Sequence, residues 1–202
     1  MNCVPVGYEA YGSSRYRNVG SAASSPGGPP TVRPPTTARS ATSSPSSNSV
    51  QTYRGSGAKR TDWDGRRLYY GQYDGTQGDQ RSIALFSSSF RSTLRGIGAG
   101  RVTSMKLTFT NQHTFNNAGG SVKVYLATEG SIPGTLGGAS GNLLGTVTVP
   151  HSGSASLTIS GSDAEAMRAS GTGVKFYAAT GGQAGYGYLD GLSVKLAVNY
   201  QG

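Results

Sequence analysis

The chain has 202 residues and a mass of 20.7 kDa, with a formal charge of +9, 32 glycines, 9 prolines and only 13% Asp, Glu, Lys and Arg. So little charge sets it apart from an ordinary cytosolic enzyme, and a single cysteine, Cys3, excludes both an internal disulfide and a thiolate-based zinc site. No apolar run approaches the roughly 20 residues that span a bilayer, and the N-terminus lacks the basic-then-apolar layout of a secretory signal, so membrane insertion and signal-directed export are not expected.

The charge is unevenly distributed. Residues 1–61 hold seven basic residues and one acid, whereas residues 62–202 hold eleven and eight. The seven (Arg15, Arg17, Arg33, Arg39, Arg54, Lys59 and Arg60) are scattered and never form a run. Such an arm suits an acidic protein surface as well as it suits phosphate, so nucleic acid is not the expected partner.

Residues 1–20 mix polar positions with apolar and aromatic anchors. Val4, Val6, Tyr8, Tyr11, Arg15 and Arg17 together read as a short docking peptide, with a frayed terminus as the plain alternative. From Ser21 to Asn48 the chain is nearly all Ser, Pro, Gly, Thr and Ala, including Pro29-Pro30 and Pro34-Pro35. A segment like this cannot bury enough surface to offset its ordering entropy, so residues 21–61 are expected to be an extended linker arm with polyproline II character.

Beyond Thr61 the pattern changes to period-two alternation, the signature of half-buried strands. Met105, Leu107 and Phe109 alternate with Lys106, Thr108 and Thr110; Val122, Val124 and Leu126 alternate with Lys123, Tyr125 and Ala127. The same holds for Val147 and Val149, for Ala155, Leu157 and Ile159, for Val174, Phe176 and Ala178, and for Leu192 through Tyr200. Each of these sets gives one apolar and one solvated face, and with Leu68 to Tyr70 and Ile83 to Phe86 added there are eight predicted strands. Gly-, Asn- and Pro-rich turns separate them, at Asp74-Gly75, Asn116 to Gly120, Pro133-Gly134, Ser152-Gly153 and Gly181-Gly182.

Two short helices are expected as well. Ser162-Asp163-Ala164-Glu165 has the spacing of a capping box, with Gly171 to end the helix. Phe90, Leu94 and Ile97 recur at helical spacing and would plug one end of the fold. The predicted architecture is therefore all-β. A jelly-roll-like antiparallel sandwich of about eight strands with two short helices occupies residues 62–202, and an extended irregular N-terminal arm precedes it. About 140 residues of this kind can bury a self-sufficient core.

Three stretches carry a resemblance. Tyr69 to Ser82 reads as an aromatic strand, a Gly/Asp-rich loop and an Arg entering the next strand. Val102 to Leu107, followed by Asn111-Gln112-His113-Thr114-Phe115-Asn116-Asn117-Ala118-Gly119-Gly120, reads as a strand and an N-x-H-T-x-x-N-x-G-G turn. Leu196-Ala197-Val198-Asn199-Tyr200 reads as a closing L-x-V-x-Y strand. Over residues 63 to 202 this order resembles the β-sandwich modules at the C-terminal ends of minor tail proteins of phages infecting actinobacteria. The resemblance implies a virion location and a non-enzymatic role, in building the particle or in touching the host envelope; it transfers no ligand residues.

No residue set nominates a catalytic site. His113 and His151 lie in turn-like segments and the nine acids are dispersed, so neither a hydrolase triad nor an enzyme is expected. His113 reads as a residue bonding loop backbone. Asp62, Asp64, Asp74 and Asp79 fall close together but without calcium-loop spacing, and salt bridging to Arg66, Arg67 or Arg81, or simple solvation, is the better reading; no metal and no cofactor is expected. Glycan binding is the stronger proposal, because flat rings stack on the apolar faces of sugars. Trp63, Tyr69, Tyr70, Tyr73, Tyr186 and Tyr188 are the candidates, of which Trp63, Tyr73, Tyr186 and Tyr188 are preferred; some of the tyrosines are expected to pack into the sandwich instead, and Trp63 reads equally as a buried hinge between arm and sandwich.

The expected function is that of a phage virion structural protein, a minor tail protein anchored to other virion proteins by its N-terminal arm. Its sandwich would be displayed, as a trimer, towards host cell-wall glycan. A capsid decoration or head-fibre protein and a secreted bacterial carbohydrate-binding module are the alternatives.

Overall fold

A computed structural model describes residues 8–11, 15–18, 36–62 and 66–202, and the chain divides into two compact units, Met1–Pro35 and Thr36–Gly202. In the first, strands β1 (Tyr8–Tyr11) and β2 (Arg15–Asn18) pair antiparallel, Tyr8 opposite Asn18 and Tyr11 opposite Arg15. The arm expected to be irregular therefore contains a hairpin pairing.

The second unit begins twenty-six residues earlier than the expected boundary at residue 62. Its first strands, β3 (Ala38–Ser43) and β4 (Val50–Tyr53), come from the segment predicted to be linker. The prediction fails there because edge strands need little apolar content. The backbone of β3 pairs with a long neighbouring strand, and Ala41 rests on the core. In β4 both faces are covered, Val50 and Thr52 on one and Tyr53 on the other.

The eight predicted strands are all present: β5 (Arg67–Tyr70), β6 (Arg81–Leu85), β7 (Val102–Thr114), β8 (Gly120–Ala127), β9 (Leu143–Val149), β10 (Gly153–Ile159), β11 (Gly173–Ala178) and β12 (Gly187–Gln201). They form two antiparallel sheets. One runs β10-β7-β12-β3, with β5 on the first part of β12; the other runs β4-β6-β11-β8-β9. Without β3 and β4 the orders are β5-β12-β7-β10 and β6-β11-β8-β9, the nested Greek keys of a jelly roll. Between the sheets Leu107, Phe109, Val124, Phe176, Leu196 and their neighbours are buried, with Phe109 edge-on to Phe176 at 5.4 Å.

Side chains close the corner where β5 meets β4 and β6. Thr52 Oγ1 donates to Arg67 O at 3.0 Å and accepts from Tyr69 N at 3.0 Å, and Ser82 Oγ donates to Tyr69 O at 2.5 Å. The expectation of one solvated face per strand fails on the second sheet. Residues 128–142 fold over its outside, where Ile132 and Leu136 cover Tyr53, Ile83 and Leu85. Tyr53 Oη donates to Pro133 O at 2.7 Å, and Lys175 pairs with Glu129 at 3.2 Å. Both faces of β6 are consequently buried.

Helix α1 (Ser88–Gly96) is capped by Ser87, whose Oγ accepts from Phe90 N at 3.2 Å, and it buries Phe90 and Leu94. Helix α2 (Gly161–Ser170) starts after Ser160, not at the predicted Ser162. The capping box does not form, because Ser162 lies inside the helix, and Glu165 pairs instead with Arg168 at 2.5 Å. Gly171 ends the helix as expected, its N–H bonding Met167 O at 3.0 Å. Both helices lie at the end of the sandwich where β12 finishes. Residues 36–38 enter beside that finish, with Gly202 N donating to Thr37 O at 2.9 Å. The connections 71–80, 115–119, 150–152 and 179–186 gather at the opposite end.

Candidate functional site

Pairing of three strands sets a row of rings on the outside of the first sheet. Tyr69 on β5 is opposite Tyr188 on β12, and Tyr188 is opposite His113 on β7. The Tyr188 ring lies 5.1 Å from Tyr69 and 5.5 Å from His113, nearly parallel to the latter. The row continues into the connecting loops: Tyr186 is 6.1 Å from Tyr69 and 5.0 Å from Tyr73, and His151 is 4.9 Å from His113. Guanidinium groups lie over two of the rings, Arg60 at 4.8 Å from Tyr69 and Arg67 at 5.1 Å from Tyr188.

Only part of this strip is available to a ligand. Tyr69 is 2% exposed beneath Arg60 and its tyrosine neighbours, whereas Tyr73 is 51% and Phe115 43% exposed. Tyr186 and Tyr188 are half-buried, not displayed as their Gly-rich surroundings suggest. Hydrogen bonds to backbone carbonyls hold the loops in register. Gln183 Nε2 donates to Tyr73 O at 2.7 Å, and Phe115 N donates to Tyr186 O at 2.9 Å, which sets the two exposed rings on loops tied to the segment that carries Tyr186. That segment can fold only around glycine at position 185, where a Cβ would come within 1.7 Å of Thr180 O.

A buried polar cluster supports the site from below. Tyr70 points inward and donates to Asn111 Oδ1 at 3.0 Å, while Asn111 Nδ2 donates to Pro150 O at 2.7 Å and His151 O at 3.1 Å. The loop bond expected of His113 is made by Thr114, whose Oγ1 donates to Asn116 O at 2.6 Å.

Burial pushes the Tyr186 hydroxyl up to about 12, reinforced by the neighbouring Tyr69. Burial likewise raises Tyr69, although Arg67 and Arg60 oppose it. Both phenols therefore stay neutral near pH 7, and of the two it is half-buried Tyr186 that can meet a ligand.

Burial lowers the His113 pKa below its ordinary 6.5, with the nearby His151 adding to the effect. Below pH 6.5 an unfolded chain takes up a proton that the folded one resists, so this contribution to stability is present above 6.5 and is lost as pH falls through the lowered value. Denaturant unfolding at pH 7.5 and pH 5 should therefore show a smaller loss on acidification for His113→Gln than for the natural chain.

Of the residues singled out in the sequence, Tyr73, Tyr186 and Tyr188 come together in this strip. Trp63, Val4 and Val6 lie outside the described residues. Tyr8 and Tyr11 lie on β1, and Arg15 and Arg17 on β2. Phe115 and the approach of His113 to His151 were not anticipated; only the shared strand end after Thr114 hinted at the former. Asp62 is paired not with Arg66, Arg67 or Arg81 but with Arg60 at 3.2 Å and Arg54 at 3.5 Å. Asp74 folds its own turn, accepting from Thr76 N at 2.9 Å. Among the described residues no group of three or more His, Cys, Asp or Glu is arranged to hold a metal.

No protein-family model matches the chain, and no curated protein sequence does. Among solved structures the chain is similar to the K1 cleaved adhesin domain of Lys-gingipain from Porphyromonas gingivalis W83. The two are 13% identical over 82% of this chain and 95% of that one, with a TM-score of 0.24, a likeness too loose to bear on function.

Proposed function

We propose that the chain is a non-enzymatic adhesion module whose jelly roll presents its ring-lined end to a glycan. One observation carries this reading: Tyr73 and Phe115 are exposed on loops tied to half-buried Tyr186, at the end of the sandwich opposite the entry of the chain at Thr36. Ring faces backed by neutral phenol hydroxyls suit the alternating apolar and hydroxyl surfaces of a sugar. Entry of the chain at the far end suits a tethered domain, in which many weak contacts add up across copies.

The particle setting suggested by the Tyr69–Ser82, Val102–Gly120 and Leu196–Tyr200 resemblance belongs to the same proposal. In it the first unit docks on other proteins of a phage virion, and trimers of the sandwich face the host wall. Removing residues 1–20 would then abolish incorporation into particles.

The glycan reading is tested by titrating the full chain against a panel of bacterial cell-wall and neutral oligosaccharides. Replacing Tyr73 and Phe115 together by alanine should weaken the best binder by about tenfold or more, since each ring contributes on the order of 1 kcal/mol. The melting temperature should not move, because both side chains are exposed. Unchanged affinity in the double variant would remove this end of the sandwich as the binding site.

A further inference from the structure

Two imidazoles meet at the ring-lined end, and they are the only two in the chain. His113 stands near the end of β7 and His151 in the connection between β9 and β10, with ring centroids 4.9 Å apart and an interplanar angle of 70°. A break in strand pairing brings His113 there. His113 is opposite Tyr188 and Asn111 opposite Leu189, which leaves Gln112 as an extra residue on β7. Strict alternation would put His113 on the buried side with Asn111. The bulge resets the alternation, so that His113 joins the outer rings and Thr114 is buried in its turn.

His151 is held at two points. Its carbonyl accepts from Asn111 Nδ2 at 3.1 Å, and its ring Nδ1 is 3.3 Å from Thr114 Oγ1. A threonine hydroxyl has one hydrogen, and that of Thr114 is given to Asn116 O at 2.6 Å. In the contact with His151 the imidazole is therefore the donor. A neutral ring with its proton on Nδ1 carries a bare lone pair on Nε2. The His113 ring has no hydrogen-bond partner among the described residues, and both histidines are half-buried, within reach of solvent.

An imidazole whose second nitrogen is bonded to an oxygen is the usual form of a metal-ligating histidine. Zinc–nitrogen bonds of about 2.0–2.1 Å at a near-tetrahedral angle place two ring centres about 5 Å apart, which is the separation of this pair. An edge contact between two rings has similar spacing; the fixed tautomer is what adds a donor to this one. Among the described residues no Asp, Glu or Cys joins the pair to make a group of three. Ca²⁺ and Mg²⁺, which take oxygen ligands, therefore gain little here, whereas imidazole suits Zn²⁺, Ni²⁺ and Cu²⁺. A structural zinc site uses four protein ligands, so two suit an ion that exchanges with solvent.

We propose that His113 and His151 form a two-imidazole site for an exchangeable transition-metal dication of the Zn²⁺ class, with water in its remaining positions. The ion ties the 150–152 connection to the end of β7, beside Tyr186 and Tyr188. The site does not depend on the glycan reading.

The test uses the full chain with Cys3→Ser, which removes the one competing thiol. Proton–nitrogen NMR of the imidazole rings should show His151 with its proton on Nδ1, and both rings should shift together as Zn²⁺ is added, the change being complete at one ion per chain. Calorimetric titration should find binding of Zn²⁺ and Ni²⁺ but none of Mg²⁺ or Ca²⁺. Loss of a mere outer partner of a ligand weakens metal sites by about 10–100-fold, so His113→Gln and His151→Gln should each weaken Zn²⁺ binding at least about tenfold, and the double change little further. Rings that do not respond to Zn²⁺, rings that respond at different concentrations, or an affinity unchanged in either variant would each overturn the site. The spectra are read on the natural histidines, so a variant that fails to fold leaves the test intact.

Discussion

A chain beginning at Thr36 is expected to unfold in a single cooperative transition, and a chain beginning at Asp62 to show none. The shorter chain lacks β3 and β4, and the loss goes beyond two edge strands. Val50 and Tyr53 are 4% and 0% exposed, and burying two such side chains contributes on the order of 4 kcal/mol. Loss of Thr52 leaves Tyr69 N and Arg67 O without the hydroxyl that joins the two sheets at that corner. Loss of Arg60 strips Gln80, bonded to it at 2.5 Å, and uncovers the Tyr69 ring. The edge of β6 is also exposed along Arg81 to Ala84, an unpaired strand next to apolar surface and a template for aggregation. Domains of this size are stable by only about 5–15 kcal/mol, so the sum of these losses reaches the whole. Thermal unfolding followed by circular dichroism checks the pair of chains; a cooperative transition in the shorter one would mean that β3 and β4 are accessory.

Replacement of Asn111 by alanine should cost about 3–5 kcal/mol and lower the melting temperature by roughly 10 °C. Asn111 is fully buried, and its carboxamide has three partners: the Tyr70 hydroxyl, Pro150 O and His151 O. Alanine leaves all three without it, and each buried polar group so stranded costs about 1–3 kcal/mol. For a domain of some 165 residues each kcal/mol is worth about 2–4 °C. The effect extends to the end proposed to bind glycan, because the two donated bonds help hold residues 150–151 against β7, together with the contact of Thr114 Oγ1 with His151 Nδ1 at 3.3 Å. With the Asn111 bonds gone that segment is held less firmly, and the affinity of the proposed site should fall even at temperatures where the domain remains folded. Tyr70→Phe combined with Asn111→Leu should be milder than the sum of the single changes, since removing both partners of a bond strands neither. A melting temperature within 2 °C of the natural chain for Asn111→Ala would show that water replaces the carboxamide at no cost.

The candidate site was legible in the sequence only in its composition. Tyr73, Tyr186 and Tyr188 stand out in glycine-rich surroundings, but nothing local says that Tyr69 lies buried beside them, opposite Tyr188 on the neighbouring strand. Nor does a single strand reveal that Gln112 is a bulge, because a bulge is a mismatch between two strands and exists only once their register is fixed. Phe115 escaped notice for the same reason, its position following from a backbone bond to Tyr186 seventy-one residues away.

What the sequence by itself determined is the set of strands β5 to β12, the two helices and the inward face of most strands. Period-two alternation and turn chemistry are local properties, and each strand carries its own copy of the signal. What only the tertiary structure decided is the rest: that residues from the Ser-rich segment become the edge strands β3 and β4, that residues 128–142 bury the outside of the second sheet, and that rings from three strands and four loops meet at one end. Those outcomes depend on neighbours far apart in the chain, and an edge strand or a covering loop takes its stability from the backbone and side chains it lands on, not from a pattern of its own.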